Sequence, residues 1–325
     1  MELRGSSNIP EHRKYLVDRL QVMADVEVLN KDPSEEEITK KIEDADIAIS
    51  LRLTAKTIDA AKKLRFIQLM GAGTDRVDVE AATKKVIPVC NVSGVNAETL
   101  AQRALAHILN IASRISFANN SMRASEWKPD IGLDGFLLWG KTLGIVGFGN
   151  IGQRVALKSR LAFSMKIIAY DPHILQTTFE MFGAEAVGLK ALMREADIVT
   201  IHSMLTKETR HIIGEKELGL MKKSAIIVNT ARGPIIDEKA LIKCLKEKRI
   251  LGAGLDVFEE EPIPKDSSLL KMDNVVLSPH MNPPPEVGFA SFDAIIDNVS
   301  RFLAGKSLLR VVNPIVLGHK PASAD

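Results

Sequence analysis

Short β-branched runs alternate with amphipathic stretches along most of this chain, the pattern of strands and crossover helices around parallel sheets. Two series are present. In the first, residues 26–29, 47–49, 66–69 and 86–89 predict strands, and Ser34-Glu35-Glu36-Glu37 opens one intervening helix with a capping box. No clear strand precedes Ile9-Pro10, so the pattern leaves the start of this sheet open. The second series is more regular and predicts six strands, at 142–146, 166–170, 198–201, 225–228, 252–255 and 275–277, a complete nucleotide-binding sheet. Between the series, Leu100, Ala104, Leu105, Ile108 and Ile111 recur at helical spacing and predict one long packing helix over 96–114. Another helical pattern runs over 289–303 and is ended by Gly305. The tail 308–316 is too small to fold alone and is expected to return to the first sheet. The expected organisation is a discontinuous first domain, residues 1–95 and 286–325, with a second domain, 96–285, inserted in it.

Gly147-Phe148-Gly149-Asn150-Ile151-Gly152 follows the predicted strand 142–146 directly and opens an amphipathic helix. In such a turn the first glycine permits the tight bend, the second lets the backbone approach a pyrophosphate, and the third lets helix and strand pack closely. A lone G-x-G-x-x-G is weak, and its bland reading is a glycine-rich turn. Context changes that. Nineteen residues after Gly152, the next strand ends in Asp171, where an acid accepts ribose hydroxyls and repels a 2′-phosphate. Strand, turn, helix, strand and acid in this order point to a dinucleotide site, with NAD favoured over NADP.

Ligands in open parallel sheets bind beyond the carboxyl ends of the strands. The later strands deliver His202-Ser203-Met204, then Asn229-Thr230-Ala231-Arg232-Gly233, then Asp256 with Glu259, Glu260 and Glu261, then Ser278-Pro279-His280. Any one of these is explained by a strand running into a polar loop. The set supplies a cation, an acid and an imidazole beside a cofactor site, the groups that hydride chemistry on a hydroxy acid requires. Arg232 offers a planar fork for a carboxylate. His280 is the natural proton carrier, and Glu261 is its candidate partner. Glu259 and Glu260 read as surface residues, as do His12, His173, His211 and His319, while His107 reads as packed in the long helix.

Composition bounds these readings. At 325 residues, 46% apolar and 26% charged, the chain is an ordinary two-domain globular protein. A formal charge of +2, with basic residues scattered as short pairs, argues against nucleic acid or a membrane as the main partner. Cys90 and Cys244 stand far apart in apolar surroundings, so neither a disulfide framework nor a metal site is expected, and the compartment reads as reducing, the cytoplasm. No apolar run reaches the roughly 18 to 20 residues of a membrane helix. The opening Met1-Glu2-Leu3-Arg4-Gly5 carries no secretory signal.

These residues resemble the D-isomer-specific 2-hydroxyacid dehydrogenase family, which includes D-lactate, hydroxypyruvate and phosphoglycerate dehydrogenases. The likeness is carried by Gly140-Lys141-Thr142-Leu143-Gly144 through Gly152, Leu220-Met221-Lys222, Val228 through Gly233, Leu255-Asp256-Val257-Phe258 through Glu261-Pro262, and Ser278-Pro279-His280. Gly71-Ala72-Gly73-Thr74-Asp75 and Gly94-Val95-Asn96-Ala97 extend it to the first half. The resemblance implies an α/β fold of two doubly wound parallel-sheet domains, a Rossmann cofactor domain inserted in a flavodoxin-like substrate domain, with the active site in the cleft between them. It implies that Arg232 binds the substrate carboxylate, that His280 is the general acid/base and Glu261 its partner, and that backbone N–H groups at Ala72 and Gly73 hold the carboxylate. Gly147, Gly149, Asn150, Ile151, Gly152, Asp171, His202, Thr230, Ala231, Arg232, Asp256 and His280 would line NAD, with Asp256 facing the nicotinamide carboxamide. The expected partners are a small 2-hydroxy or 2-oxo acid and a second copy of the chain, docked along the long helix.

Departures bear on the substrate. Met281-Asn282-Pro283-Pro284-Pro285 replaces the family's usual small residues after the histidine, and its prolines predict a stiff pocket wall. Met204 replaces a frequent proline and Gln102 a frequent glutamate. Arg52 matches an arginine that holds a distal phosphate in phosphoglycerate dehydrogenases, but its companion position is Leu69, so a surface role for Arg52 is as well supported. The competing reading from another class is an NAD(H)-sensing, corepressor-like binding protein on the same fold.

Overall fold

The computed structural model describes residues 10–29 and 33–318. The chain divides into two compact units, Met1–Asn96 with Asn282–Asp325, and Ala97–Met281.

In the first unit, β1 (Ile47–Ser50), β2 (Phe66–Leu69) and β3 (Val89–Cys90) form a parallel sheet in that order. Alternation along the strands sends side chains to opposite faces. Ile49, Phe66 and Cys90 pack with Leu16 and Leu20 of the helix Pro10–Gln21 and with Phe292, Ile295 and Val299 of the helix Pro285–Leu303. Ile67, Leu69 and Val89 pack instead with Ile38, Ile42, Ile58 and Ala82 of the helices Glu35–Ile42, Ala55–Ala60 and Val79–Lys84. The sheet is therefore covered on both faces. Ser34 caps its helix, accepting from the Glu37 N–H at 3.1 Å. The tail 308–316 returns to this sheet: Val312 N–H donates to the Val89 carbonyl at 2.7 Å, and the buried Asn313 side chain accepts from Val89 N–H at 2.8 Å.

Two predicted strands of this unit differ. Residues 26–29 form no strand; Val26 and Leu29 bury their side chains in the two cores without joining a ladder. Their alternation reflects packing alone. The strand predicted at 86–89 begins at Val89, because Val86 takes a left-handed φ of 58° that closes the preceding helix and Pro88 lacks an N–H to pair.

The second unit holds seven parallel strands: β4 (Thr142–Val146), β5 (Lys166–Tyr170), β6 (Ala184–Ala186), β7 (Ile198–Ile201), β8 (Ile226–Asn229), β9 (Gly252–Leu255) and β10 (Val275–Leu277). Their spatial order is β10-β9-β8-β7-β4-β5-β6. The sequence pattern contains six of them and misses β6, a three-residue edge strand whose Glu185 and Ala186 are exposed. The two faces bury separate apolar clusters, one around Ile201, Ile227 and Leu241, the other around Ile145, Ile167 and Val155. The chain starts in the middle, at β4, moves out through β5 and β6, and restarts at β7 on the other side. That reversal opens a crevice between the carboxyl ends of β4 and β7, where ligands of doubly wound sheets bind.

The long helix Ala97–Ser113 packs across this sheet, contributing Ala101, Ala104, Ile108 and Ile111 to the second cluster. The helix predicted to start at residue 289 begins at Pro285. Pro284 is its N-cap and Pro285 occupies the first turn, where a missing N–H costs nothing.

Candidate active site

The glycine turn sits at the reversal point. Gly147, directly after β4, has φ 91°, and a Cβ there would lie 2.4 Å from the backbone nitrogen of Ser203 beyond β7. A Cβ on Gly152 would lie 2.3 Å from the Gly147 carbonyl oxygen, so turn and helix pack as the spacing predicts. Gly149 differs: its Cβ would meet nothing within 4 Å. Space on that side is what a close-approaching pyrophosphate requires. Gly149 is the N-cap of the helix Asn150–Phe163 and, as a glycine, brings no capping side chain to the first turn, where Asn150, Ile151 and Gly152 lie. Such a terminus suits an anion.

Asp171 follows β5. Its Oδ2 accepts from Phe148 N–H at 2.8 Å and its Oδ1 from His173 N–H at 3.0 Å, which fixes the carboxylate beside the glycine turn. A carboxylate has about four lone-pair positions, so two remain for ribose hydroxyls.

Beyond β7 and β8, three buried polar atoms have no partner among the described residues: His202 Nδ1, Ser203 Oγ and Thr230 Oγ1. Burial pushes the His202 pKa down to about 3, so the imidazole is neutral, and its Nε2 lies 3.0 Å from Thr200 Oγ1. Unsatisfied buried groups are rare in folded proteins, and three of them gathered beside the glycine turn are groups that a bound ligand or water can satisfy. The crevice therefore fits a dinucleotide: open glycine turn, acid, and polar atoms awaiting partners.

The next three loops meet one another. After β8, Asn229 organises its own loop, with Ala231 N–H donating to Asn229 Oδ1 at 3.0 Å and Asn229 Nδ2 to the Arg232 carbonyl at 2.8 Å. Arg232 is half-buried, and its Nη1 donates to the Ala231 carbonyl at 2.8 Å. Gly233 packs directly on the Phe258 backbone of the loop after β9. Phe258 N–H in turn donates to Glu261 Oε1 at 3.2 Å, and Glu261 Oε2 accepts from His280 Nδ1 at 2.7 Å. Because a carboxylate only accepts, Nδ1 carries the hydrogen and Nε2 is left to exchange a proton. The His280 side chain is 43% exposed, so that exchange has an open edge. Arg232, Glu261 and His280 thus stand on three adjacent strand ends linked by contacts.

Asp256, for which resemblance implies a cofactor-facing role, is tied into a polar network within the protein. It is 1% exposed, and its Oδ2 accepts from Arg103 Nη1 at 2.9 Å, while Oδ1 accepts from Ser278 Oγ and from Met281 N–H. Sequence reasoning missed Arg103 altogether. The available signal was a pair of polar residues, Arg103 and His107, one turn apart within an otherwise apolar helix face.

Within the first unit, Ala72 and Gly73 lie in the loop after β2, where the Ala72 carbonyl accepts from Asn91 Nδ2 at 2.9 Å. Arg52 donates through Nη2 to the Pro33 carbonyl. Among the described residues, no group of three or more His, Cys, Asp or Glu is arranged to hold a metal ion. No described helix is long and apolar enough to cross a membrane.

Comparison with known proteins identifies the family. Residues 105–282 match the family model of the D-isomer specific 2-hydroxyacid dehydrogenase NAD-binding domain. A glyoxylate reductase of Korarchaeum cryptofilum is 41% identical over 327 residues, 98% of this chain and 95% of its own length. A D-3-phosphoglycerate dehydrogenase of Methanocaldococcus jannaschii is 42% identical over 285 residues, 86% of this chain, which spans about half (54%) of that relative. Among solved structures, an acyclic imino acid reductase in complex with NADPH and D-Arg has a TM-score of 0.83 at 30% identity, over 92% of this chain and 95% of that one. With the family model spanning more than half of the chain and a relative aligned along nearly all of it, the chain belongs to the D-isomer specific 2-hydroxyacid dehydrogenase family.

Proposed function

We propose that this NAD(P)-dependent 2-hydroxyacid dehydrogenase uses NADH to interconvert a short 2-oxo acid and its D-2-hydroxy acid, with His280 as general acid/base. The observation that carries the reading is the 2.7 Å hydrogen bond from His280 Nδ1 to Glu261 Oε2, one loop away from Arg232. The nicotinamide, when bound, supplies or accepts the hydride. Glu261 fixes the imidazole tautomer and orientation, so that Nε2 holds the proton destined for the substrate oxygen. Arg232 binds the substrate carboxylate through its guanidinium fork, which sets which face of the carbonyl is presented. Gly149, the first turn of the following helix and Asp171 hold the dinucleotide, and Ser203 and Thr230 gain partners when it binds. The similarity to glyoxylate reductases along nearly the whole chain supports a two- or three-carbon substrate.

Asp171 supports NADH as the preferred reductant. A 2′-phosphate about 4 Å from its carboxylate meets a repulsion of about 1–4 kcal/mol at effective dielectrics from water to protein surface. Purified protein offered glyoxylate, hydroxypyruvate and pyruvate is expected to turn over at least about fivefold better with NADH than with NADPH, and Asp171→Ala to erase the difference. Preference for NADPH in the unmodified protein sinks the cofactor reading. No turnover on the panel while NADH binds sinks the substrate reading.

We also propose a homodimer. Trp127, Leu133, Leu137 and Trp139, in the segment after the helices Ala97–Ser113 and Ile115–Arg123, are each 75–82% exposed. Four large apolar side chains so exposed within one short segment are of the kind that a subunit interface covers. Light scattering is expected to give twice the chain mass, and Trp127→Glu with Leu133→Glu to give the single-chain mass. A monomeric unmodified protein overturns this. The buried, unpaired thiols of Cys90 and Cys244 suit the reducing cytoplasm.

A further inference from the structure

We infer that Arg103 is a positioning residue for the reaction: one guanidinium nitrogen, reaching from the long helix, clamps the backbone that carries His280. The inference rests on the reading of His280 as the general acid/base.

The need for a clamp is visible in the backbone. His280 has φ 45°, in the left-handed region that a residue with a Cβ avoids. Such a conformation persists only when its surroundings enforce it. Here the peptides on both sides of His280 are held. Its own N–H donates to the Asp256 carbonyl at 2.7 Å, and the next N–H, of Met281, donates to Asp256 Oδ1 at 3.2 Å. The Met281 carbonyl accepts from Arg103 Nη1 at 2.5 Å, and the same nitrogen donates to Asp256 Oδ2 at 2.9 Å. Arg103 therefore closes a ring that runs through Asp256, His280 and Met281 and back to itself.

The ring is anchored on both sides. Ser278 Oγ donates to Asp256 Oδ1, so the neighbouring His107 Nε2, 2.9 Å from Ser278 Oγ, must be the donor to that oxygen. Burial pushes the His107 pKa down, in keeping with a neutral ring whose Nδ1 is unprotonated. Arg103 and His107, one helical turn apart, thus grip the loop at Met281 and at Ser278, on either side of His280. Arg103 and Asp256 are 8% and 1% exposed, so the pair is screened little by solvent and holds its geometry. Nothing in this arrangement touches the glycine turn or Asp171. The clamp acts on the placement of the proton carrier.

The test uses the full-length enzyme and four variants, Arg103→Leu, Arg103→Gln, Arg103→Lys and His280→Gln. Readouts are kcat, KM for glyoxylate, the NADH Kd by calorimetry, and amide hydrogen exchange at His280 and Met281. Misplacement of a reacting group by about 1 Å costs up to roughly 100-fold, so Arg103→Leu is expected to lower kcat by about 10- to 100-fold. NADH Kd is expected to stay within about twofold, and both amides to exchange faster. Arg103→Lys, whose single nitrogen can meet both acceptors, is expected to recover most of the lost kcat. Arg103→Gln keeps a donor for Asp256 and decides the matter should Arg103→Leu not fold; its kcat is expected to fall in the same way. Wild-type kcat and exchange in a folded Leu or Gln variant, with His280→Gln inactive, overturns the clamp alone. Loss of NADH affinity in parallel with kcat, without rescue by lysine, shows a packing role and also overturns it. An active His280→Gln overturns the acid/base reading instead.

Discussion

His280→Gln is expected to lower kcat for 2-oxo acid reduction by about 10²–10⁴-fold, the range that a placed general acid contributes. Glutamine is close to histidine in reach, and its amide can still donate to Glu261 Oε2, the contact that histidine makes at 2.7 Å. What it lacks is a group that exchanges a proton near neutral pH. The loss therefore falls on the chemical step, and NADH affinity, assigned in the proposed reading to the loops after β4, β5 and β7 and to Thr230 after β8, is expected to hold within about twofold on the same argument. Glu261→Gln is expected to be milder: the side chain still fills its place, but its amide end must face either His280 Nδ1 or Phe258 N–H, both donors in the native arrangement. Single-turnover kinetics separates these effects. A His280→Gln enzyme within about tenfold of the native kcat falls below what an acid/base role contributes, and the assignment fails.

The sequence shows most clearly what is local. Strands β4, β5, β7 and β10 lie where their β-branched runs place them, β9 (Gly-Ala-Gly-Leu) lies where the strand–helix rhythm places it, and the glycine turn declares itself because strand, turn and helix are consecutive. His280 and Glu261 are separated by 19 positions, yet the rule that polar groups collect at strand ends brings them to one edge. Four features escaped for physical reasons. β6 owes its existence to pairing with β5, since Ala184-Glu185-Ala186 has no β propensity of its own. Residues 26–29 show the converse, an alternating pattern satisfied by side-chain burial without a ladder. The last helix starts at Pro285 rather than at 289, because Pro284 and Pro285 occupy its cap and first turn, where prolines are tolerated but carry no apolar periodicity to announce a helix. Arg103 is the hardest case, because its partner Asp256 lies 153 residues away and an arginine inside an apolar helix face carries no sign of where its charge is met.

Two glycines of the second unit are expected to respond oppositely to alanine, and the contrast tests the site as a whole. At Gly233 an added Cβ would lie 1.9 Å from both the carbonyl carbon and the oxygen of Phe258 and 2.5 Å from Glu259 N. All three are backbone atoms, so no side chain can turn aside. Ordinary contact begins at 3.4 Å, and the loops after β8 and β9 must part by about 1.5 Å, the difference between the two distances. Overpacking of this kind costs about 1–3 kcal/mol, with backbone against backbone at the upper end. For a unit of this size that lowers Tm by about 5–12 °C. Activity suffers more than stability, because the displaced loops carry Arg232 on one side and Glu261 on the other; a shift of this order is expected to reduce kcat/KM by about 100-fold or more. The glycine turn lies two strands away, so NADH binding by the folded fraction should persist, with any loss confined to what Thr230 of the displaced loop contributes. Gly149→Ala is the mirror case. Its Cβ meets no protein atom within 4 Å and its φ of −76° suits alanine, so Tm is expected to be unchanged while NADH affinity falls, since that space is where the dinucleotide approaches the backbone. Thermal unfolding and calorimetric NADH titration of both variants read the two effects separately. Native NADH affinity in Gly149→Ala removes the pyrophosphate from this turn, and native kcat/KM in Gly233→Ala shows that Arg232 and Glu261 do not depend on the contact between their loops.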